Sequence, residues 1–129
     1  MRIETYFQQI QETVQSCSIV QLSDISYNKR GSYEGFIRGE LCFVDESKLH
    51  LREFVDVEAT PDRLMYAYQY VTASNRLIFR YDNTGHHRKL GLHTYPHHKH
   101  DGSEDNVVPS ARPDLFQVLK EIESLVKLP

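Results

Sequence analysis

The sequence predicts an α+β fold: a single two-layer domain in which a five-stranded antiparallel meander sheet is packed by an N-terminal and a C-terminal helix. Three observations lead there. A helical period opens the chain, a two-residue period runs through five consecutive segments, and a second helical period closes it. Two amphipathic helices need a sheet face to cover. A chain of 129 residues can bury one core and has little room for a second, so residues 1–129 are read as one domain.

The first helix is predicted over about residues 3–16. Ile3, Phe7, Ile10 and Val14 fall on one stripe, and Gln8, Gln9, Gln11 and Glu12 fill the other positions. The first strand spans residues 19–29 and ends at the turn signal Lys29-Arg30-Gly31-Ser32. In residues 33–44, Ile37, Leu41 and Phe43 share one face, and Glu34, Arg38 and Glu40 share the other. Asp45-Glu46-Ser47 turns the chain into residues 48–58. There Leu49, Leu51, Val55 and Val57 share a face with Glu53, while His50, Arg52 and Asp56 point away.

A carboxylate in an apolar row is costly to bury unless it is paired. Glu53 therefore reads either as a satisfied core group or as a general base or histidine-orienting partner. His50 reads as a solvated residue on a polar face.

Ala59-Thr60-Pro61-Asp62 ends that strand, and residues 63–71 form the next, with Tyr66, Tyr68 and Tyr70 on one face. This stripe reads as half-buried packing, or alternatively as a base-stacking platform. After a turn at residues 72–75 the fifth strand covers residues 76–82. Residues 84–112 lack a clear period, which in a small domain marks a functional or mobile connection. Residues 101–106 read as an exposed, flexible acidic tip. Residues 95–100 allow a short edge strand, an assignment that Pro96 weakens. Pro113 and Asp114 suit the first turn of the closing helix, whose apolar face is Leu115, Val118, Leu119, Ile122 and Val126.

No apolar run reaches the roughly 18 residues a membrane helix needs, and the first residues carry no signal-peptide core. The expected location is the cytoplasm, with no membrane partner. Cys17 and Cys42 show no C-x-x-C spacing and read as buried free thiols.

The chemistry concentrates late in the chain. Six of the seven histidines lie between His86 and His100. Net charge is −3 overall, yet residues 76–100 carry +4 and the remainder −7, with histidine neutral. A basic segment on an acidic body suggests a local anionic ligand such as a phosphodiester.

Metal-free RNA cleavage needs a group to take the 2′-hydroxyl proton, a second to protonate the departing 5′-oxygen, and a cation on the phosphorane. His86, His87, His98 and His100 are the proton-transfer candidates. Arg80 and Lys99 are candidates for the phosphate, and Asp82 or Glu53 for holding an imidazole in its working tautomer. This route requires no cofactor. A second route is a metal site: His98 and His100, at i, i+2 spacing, with a further histidine and a carboxylate could bind Zn²⁺ or Mn²⁺, although no specific zinc motif is present. His93 and His97 read as bystanders.

These residues also resemble a known family. Arg80-Tyr81-Asp82-Asn83, the pair His86-His87, Tyr95-Pro96-His97-His98-Lys99-His100, Val107-Val108-Pro109-Ser110 and Leu51-Arg52-Glu53-Phe54 look like the TumE family of bacterial toxin–antitoxin proteins. The resemblance covers about residues 20–126. Thr84-Gly85 stands where the family pattern has Ala-Pro, which loosens the backbone ahead of the histidine pair. The resemblance implies the toxin of a type II module, paired with a helix-turn-helix antitoxin and acting on RNA or translation. The alternatives are a metal- or nucleic-acid-binding protein without turnover, or an inactive family member. Self-association into a homo-oligomer is left open.

Overall fold

A computed structural model describes residues 1–85 and 90–126. Helix α1 (Ile3–Gln15) is followed by β1 (Val20–Arg30), β2 (Glu34–Phe43), β3 (Lys48–Asp56), β4 (Asp62–Val71), β5 (Leu77–Asp82), β6 (His98–Asp101), β7 (Val107–Pro109) and α2 (Leu115–Leu125). The strands form one sheet in the order β1-β2-β3-β4-β5-β6-β7, and every neighbouring pair is antiparallel. The predicted architecture is thus present, with seven strands instead of five. The two extra strands hold four and three residues, too few for a two-residue period to stand out in a stretch rich in His and Pro.

Both helices lie on one side of the sheet. The predicted stripe of α1 is buried, with Tyr6 added to it, and α2 buries Leu115, Val118, Leu119 and Ile122. They cover Ile37, Leu41 and Phe43 of β2, Leu49, Leu51 and Val55 of β3, Tyr66, Tyr68 and Tyr70 of β4, and Phe79 of β5. Gly35 lets α1 approach: a Cβ there would lie 2.5 Å from the Phe7 ring. Asp114 and Gln117 form a reciprocal capping box at the start of α2. Among the described residues no helix is long and apolar enough to cross a membrane. Cys17 is buried, Cys42 is half-buried, and both are free thiols.

The tyrosine stripe is packing, not a stacking platform. Tyr66, Tyr68 and Tyr70 are buried, and their hydroxyls meet His97, Glu53 and Ser47 respectively. The acidic tip is the β6–β7 turn, and it is tied down by an Asp101 N–H donating to Asn106 O.

Candidate functional site

Strand alternation sorts the polar chemistry of the chain onto opposite sides of the sheet. On the side away from both helices, one row of register partners runs Arg38, Arg52, Ala67, Asp82, His98 from β2 to β6. The next row runs Glu40, His50, Gln69, Arg80, His100. At about 4.8 Å per strand, each row crosses roughly 19 Å.

Asp82, at the end of β5, is the hub. Its Oδ1 lies 2.8 Å from His98 Nε2 and accepts from the Thr84 N–H and the Thr84 hydroxyl, each at 3.0 Å. Its Oδ2 accepts from Arg80 Nε at 3.1 Å and lies 3.6 Å from His100 Nε2. Burial pushes the Asp82 carboxyl up, but the Thr84 N–H, the His98 ring and the Arg80 guanidinium outweigh it. The group is held below its ordinary range.

Both imidazoles are anchored from behind. His98 Nδ1 is 2.9 Å from Pro96 O and His100 Nδ1 is 2.8 Å from Glu104 O. A carbonyl can only accept, so each Nδ1 carries its proton and each Nε2 is turned inward. His100 Nε2 sits 3.1 Å from Arg80 Nη2. Guanidinium can only donate, so Nε2 is the acceptor of this contact. His98 has an oxygen near each ring nitrogen, Pro96 O at Nδ1 and Asp82 Oδ1 at Nε2. The two rings meet edge-on with centroids 5.0 Å apart, and both residues are 1% exposed.

Arg80 is shared. Besides Asp82 and His100 it donates to Gln69 Oε1 at 3.1 Å and, through both terminal nitrogens, to the Glu104 carboxylate. The Arg80 contact holds the Glu104 carboxyl below its usual range, against a small opposing effect of burial. The acidic tip therefore folds back over the guanidinium edge that a phosphate would take.

Arg80 and Asp82 open onto a cavity of about 460 Å³, lined also by Arg38, His50, Arg52, Ala67, Gln69 and Thr84. His98 and His100 do not line it; they are buried and reach it only through their contacts with Asp82 and Arg80. His50 holds the other side. Its side chain is 44% exposed, and its Nδ1 is 3.4 Å from Glu40 Oε2.

The predicted group of His98, His100, Arg80 and Asp82 is therefore assembled, and two predicted members are not in it. Glu53 lies on the helix side. Tyr6 and Tyr68 hydroxyls donate to its two oxygens, the latter at 2.5 Å, and Arg63 donates to the same Tyr68 oxygen at 3.0 Å. Burial raises the Glu53 carboxyl despite these bonds. Lys99 also points to the helix side: Nζ is 3.2 Å from Glu121 Oε2 and sits over the Phe79 and Tyr81 rings. A residue between two inward-facing strand neighbours must face the other way, which removes Lys99 from the phosphate.

His86 and His87 lie outside the described residues. His97 stacks on Tyr66, and burial with nearby Arg112 and Arg63 lowers its pKa. His93 is exposed. The sequence reading passed over Arg38, Arg52 and His50 as site residues. Their signal was present in the alternation that set them opposite Leu49, Leu51 and Glu53.

Asp82, His98 and His100 also offer one ligand atom each, all within 4.8 Å of one another. Nδ1–H groups held by carbonyls are the usual means of aiming Nε2 at an ion. The donor set fits Zn²⁺ or Mn²⁺, while the adjacent Arg80 charge opposes a cation. No curated protein and no solved structure matches the chain. The family model described as Toxin TumE, however, matches residues 10–126, nearly the whole chain, and the chain belongs to the TumE toxin family.

Proposed function

We propose that this protein is the toxin of a type II toxin–antitoxin module and that it cleaves RNA by acid–base phosphodiester chemistry in the cavity bounded by Asp82, Arg80 and His50. The observation that carries the reading is that Asp82 and Arg80 line one cavity and are contacted from behind by the buried His98 and His100.

His50, exposed and backed by Glu40, is positioned to take the 2′-hydroxyl proton. O2′ then attacks phosphorus. Arg80 exchanges Glu104 for the phosphorane oxygens, a charge-assisted contact that strengthens as charge builds. The 5′-oxygen leaves with a proton from a histidine, for which His98, held by the Asp82 carboxylate, is the described candidate. His100 positions Arg80 through its Nε2. His86 and His87 remain candidates by sequence. In the cell, a helix-turn-helix antitoxin would neutralise the activity.

The test is purified protein on RNA, with new 5′ ends mapped and growth inhibition followed in parallel. His98→Ala, Asp82→Asn and Arg80→Ala should each lower cleavage by at least about 100-fold, the usual scale of a proton-transfer or charge-stabilising group, while keeping the circular dichroism of the parent. Unchanged cleavage and toxicity in the folded variants would reject the assignment.

The carbonyl-anchored imidazoles support a second reading, a metal-dependent centre on Asp82, His98 and His100. Cleavage that survives a chelator supports the acid–base route. Cleavage lost to the chelator and restored by Zn²⁺ or Mn²⁺ supports the metal.

A further inference from the structure

We infer that the open sheet face beside the cavity is a binding track for single-stranded RNA, with the Phe36–Phe54 pair as its stacking platform and the Arg38–Arg52 pair as its phosphate clamp. The inference rests on RNA being the substrate, and it specifies which form of RNA and which route.

Arg38 and Arg52 are direct register partners on neighbouring strands. Like charges directly opposite each other cost stability. Both side chains belong to exposed residues, and among the described residues neither pairs with a carboxylate. Of the two acids in the next row, Glu40 already serves Lys48 and His50, and Asp24 lies beyond it on β1. Two unneutralised guanidinium groups held side by side on a rigid sheet form a ready site for a polyanion.

One row further, Phe36 and Phe54 are also register partners on the same face. Their rings lie nearly parallel, 14° apart, with centroids at 4.5 Å, and the Arg30 guanidinium sits 5.0 Å above Phe36. Both phenylalanines are half-buried, on the side away from the core that holds Phe7, Phe43, Tyr66, Tyr68, Tyr70 and Phe79. Phe36 borders a second cavity of about 400 Å³, lined also by Ser26, Asn28, Arg30, Arg38, Arg52 and Met65. Arg38 and Arg52 line both cavities, so one strand of nucleic acid can pass between them from Phe36 to Asp82.

Aromatic faces interleaved with arginine on an open sheet suit unpaired bases, which stack without regard to sequence. A duplex keeps its bases stacked internally and presents mainly its backbone.

The full chain is titrated with a fluorescent single-stranded RNA oligomer, with a duplex of equal length and across a salt series. Cleavage of a dinucleotide, which needs the cavity alone, is measured separately. The single strand should bind at least tenfold more tightly than the duplex. Phe36→Leu, which keeps an apolar side chain, should weaken single-strand binding by about 5- to 100-fold, the loss of one stacked base, while dinucleotide cleavage persists. Arg38→Gln with Arg52→Gln should weaken binding and reduce the log–log salt slope by about 1.4, two phosphates at roughly 0.7 each.

Equal affinity for duplex and single strand, or binding indifferent to Phe36→Leu and to the double arginine variant, overturns the track. So does a result in which these variants disturb antitoxin binding alone, which would make the face a protein interface. Single-strand binding that depends on Phe36 in the absence of any cleavage upholds the track and rejects the cleavage reading.

Discussion

The two faces of the sheet each bury one carboxylate among tyrosine, arginine or histidine partners, and the two carboxylates are set in opposite directions. Glu53, 1% exposed, is roofed by α1, and two phenols close its oxygens. Arg63 donates to the Tyr68 hydroxyl and also to Arg112 O and Pro113 O ahead of α2. The network fastens the helices to the sheet and has no opening for a ligand. Asp82, 3% exposed, has donors on both oxygens, yet it borders a cavity and its partners are titratable or cationic. Burial dominates at Glu53 and raises it. Donors dominate at Asp82 and lower it. Depth alone does not separate a structural carboxylate from a functional one; what closes the group off does.

The largest effect expected from this contrast is a crossed pair of phenotypes. Asp82→Asn should cost at least about 100-fold in RNA cleavage with a modest change in urea stability. Glu53→Ala should leave the Tyr6 and Tyr68 hydroxyls facing an empty acceptor position, at about 3 kcal/mol in urea unfolding. Glu53→Gln, which keeps an acceptor oxygen, should retain turnover. A folded Glu53→Gln protein without turnover would join the two faces into one site and end the comparison.

A smaller effect is expected in pH dependence, and its sign differs between the faces. Glu53 holds its proton more tightly folded than unfolded. Its favourable contribution is complete below the unfolded value of about 4.3 and is lost as pH rises through the raised folded value. Asp82 releases its proton more readily when folded. Its contribution is complete above about 3.9 and is lost as pH falls through the lowered folded value. Urea midpoints measured from pH 3 to pH 8 should therefore lose their decline on the alkaline side in Glu53→Gln, and part of their decline on the acid side in Asp82→Asn. The same curve for both variants and the parent would show that neither carboxylate is tuned by its surroundings.

The sequence made the layers legible because periodicity reports burial over long elements. It predicted α1, α2 and five of the strands within a few residues of where they lie. It allowed a short edge strand at residues 95–100, where β6 lies, but gave neither β7 nor the place of β6 inside the sheet, because their pairing depends on long-range partners in β5 and on each other. The hub of the site was legible in part: His98 and His100 share a face by spacing, and β5 puts Arg80 and Asp82 on one side. What joins them is the register Arg80 to His100 and Asp82 to His98, a long-range fact. Glu53 stood out correctly as a paired buried acid, but its partners come from α1 and β4. The omission of Arg38 and Arg52 was avoidable, because strand alternation already set them opposite the apolar row.

Lys99 provides the smallest effect and the sharpest check on the sorting of faces. It sits between two residues of the site, yet its ammonium reaches Glu121 of α2 and the rings of Phe79 and Tyr81. Lys99→Met preserves the aliphatic stem over those rings and removes a partly exposed ion pair, so urea stability should fall by less than about 1 kcal/mol. RNA affinity and cleavage should stay within about twofold of the parent, because the side chain leaves the sheet on the side opposite the cavity. His98→Ala and His100→Ala, one residue to either side, should lose activity. If Lys99→Met instead weakens RNA binding and lowers its salt slope, phosphate reaches the helix side, and the division of labour between the faces is wrong.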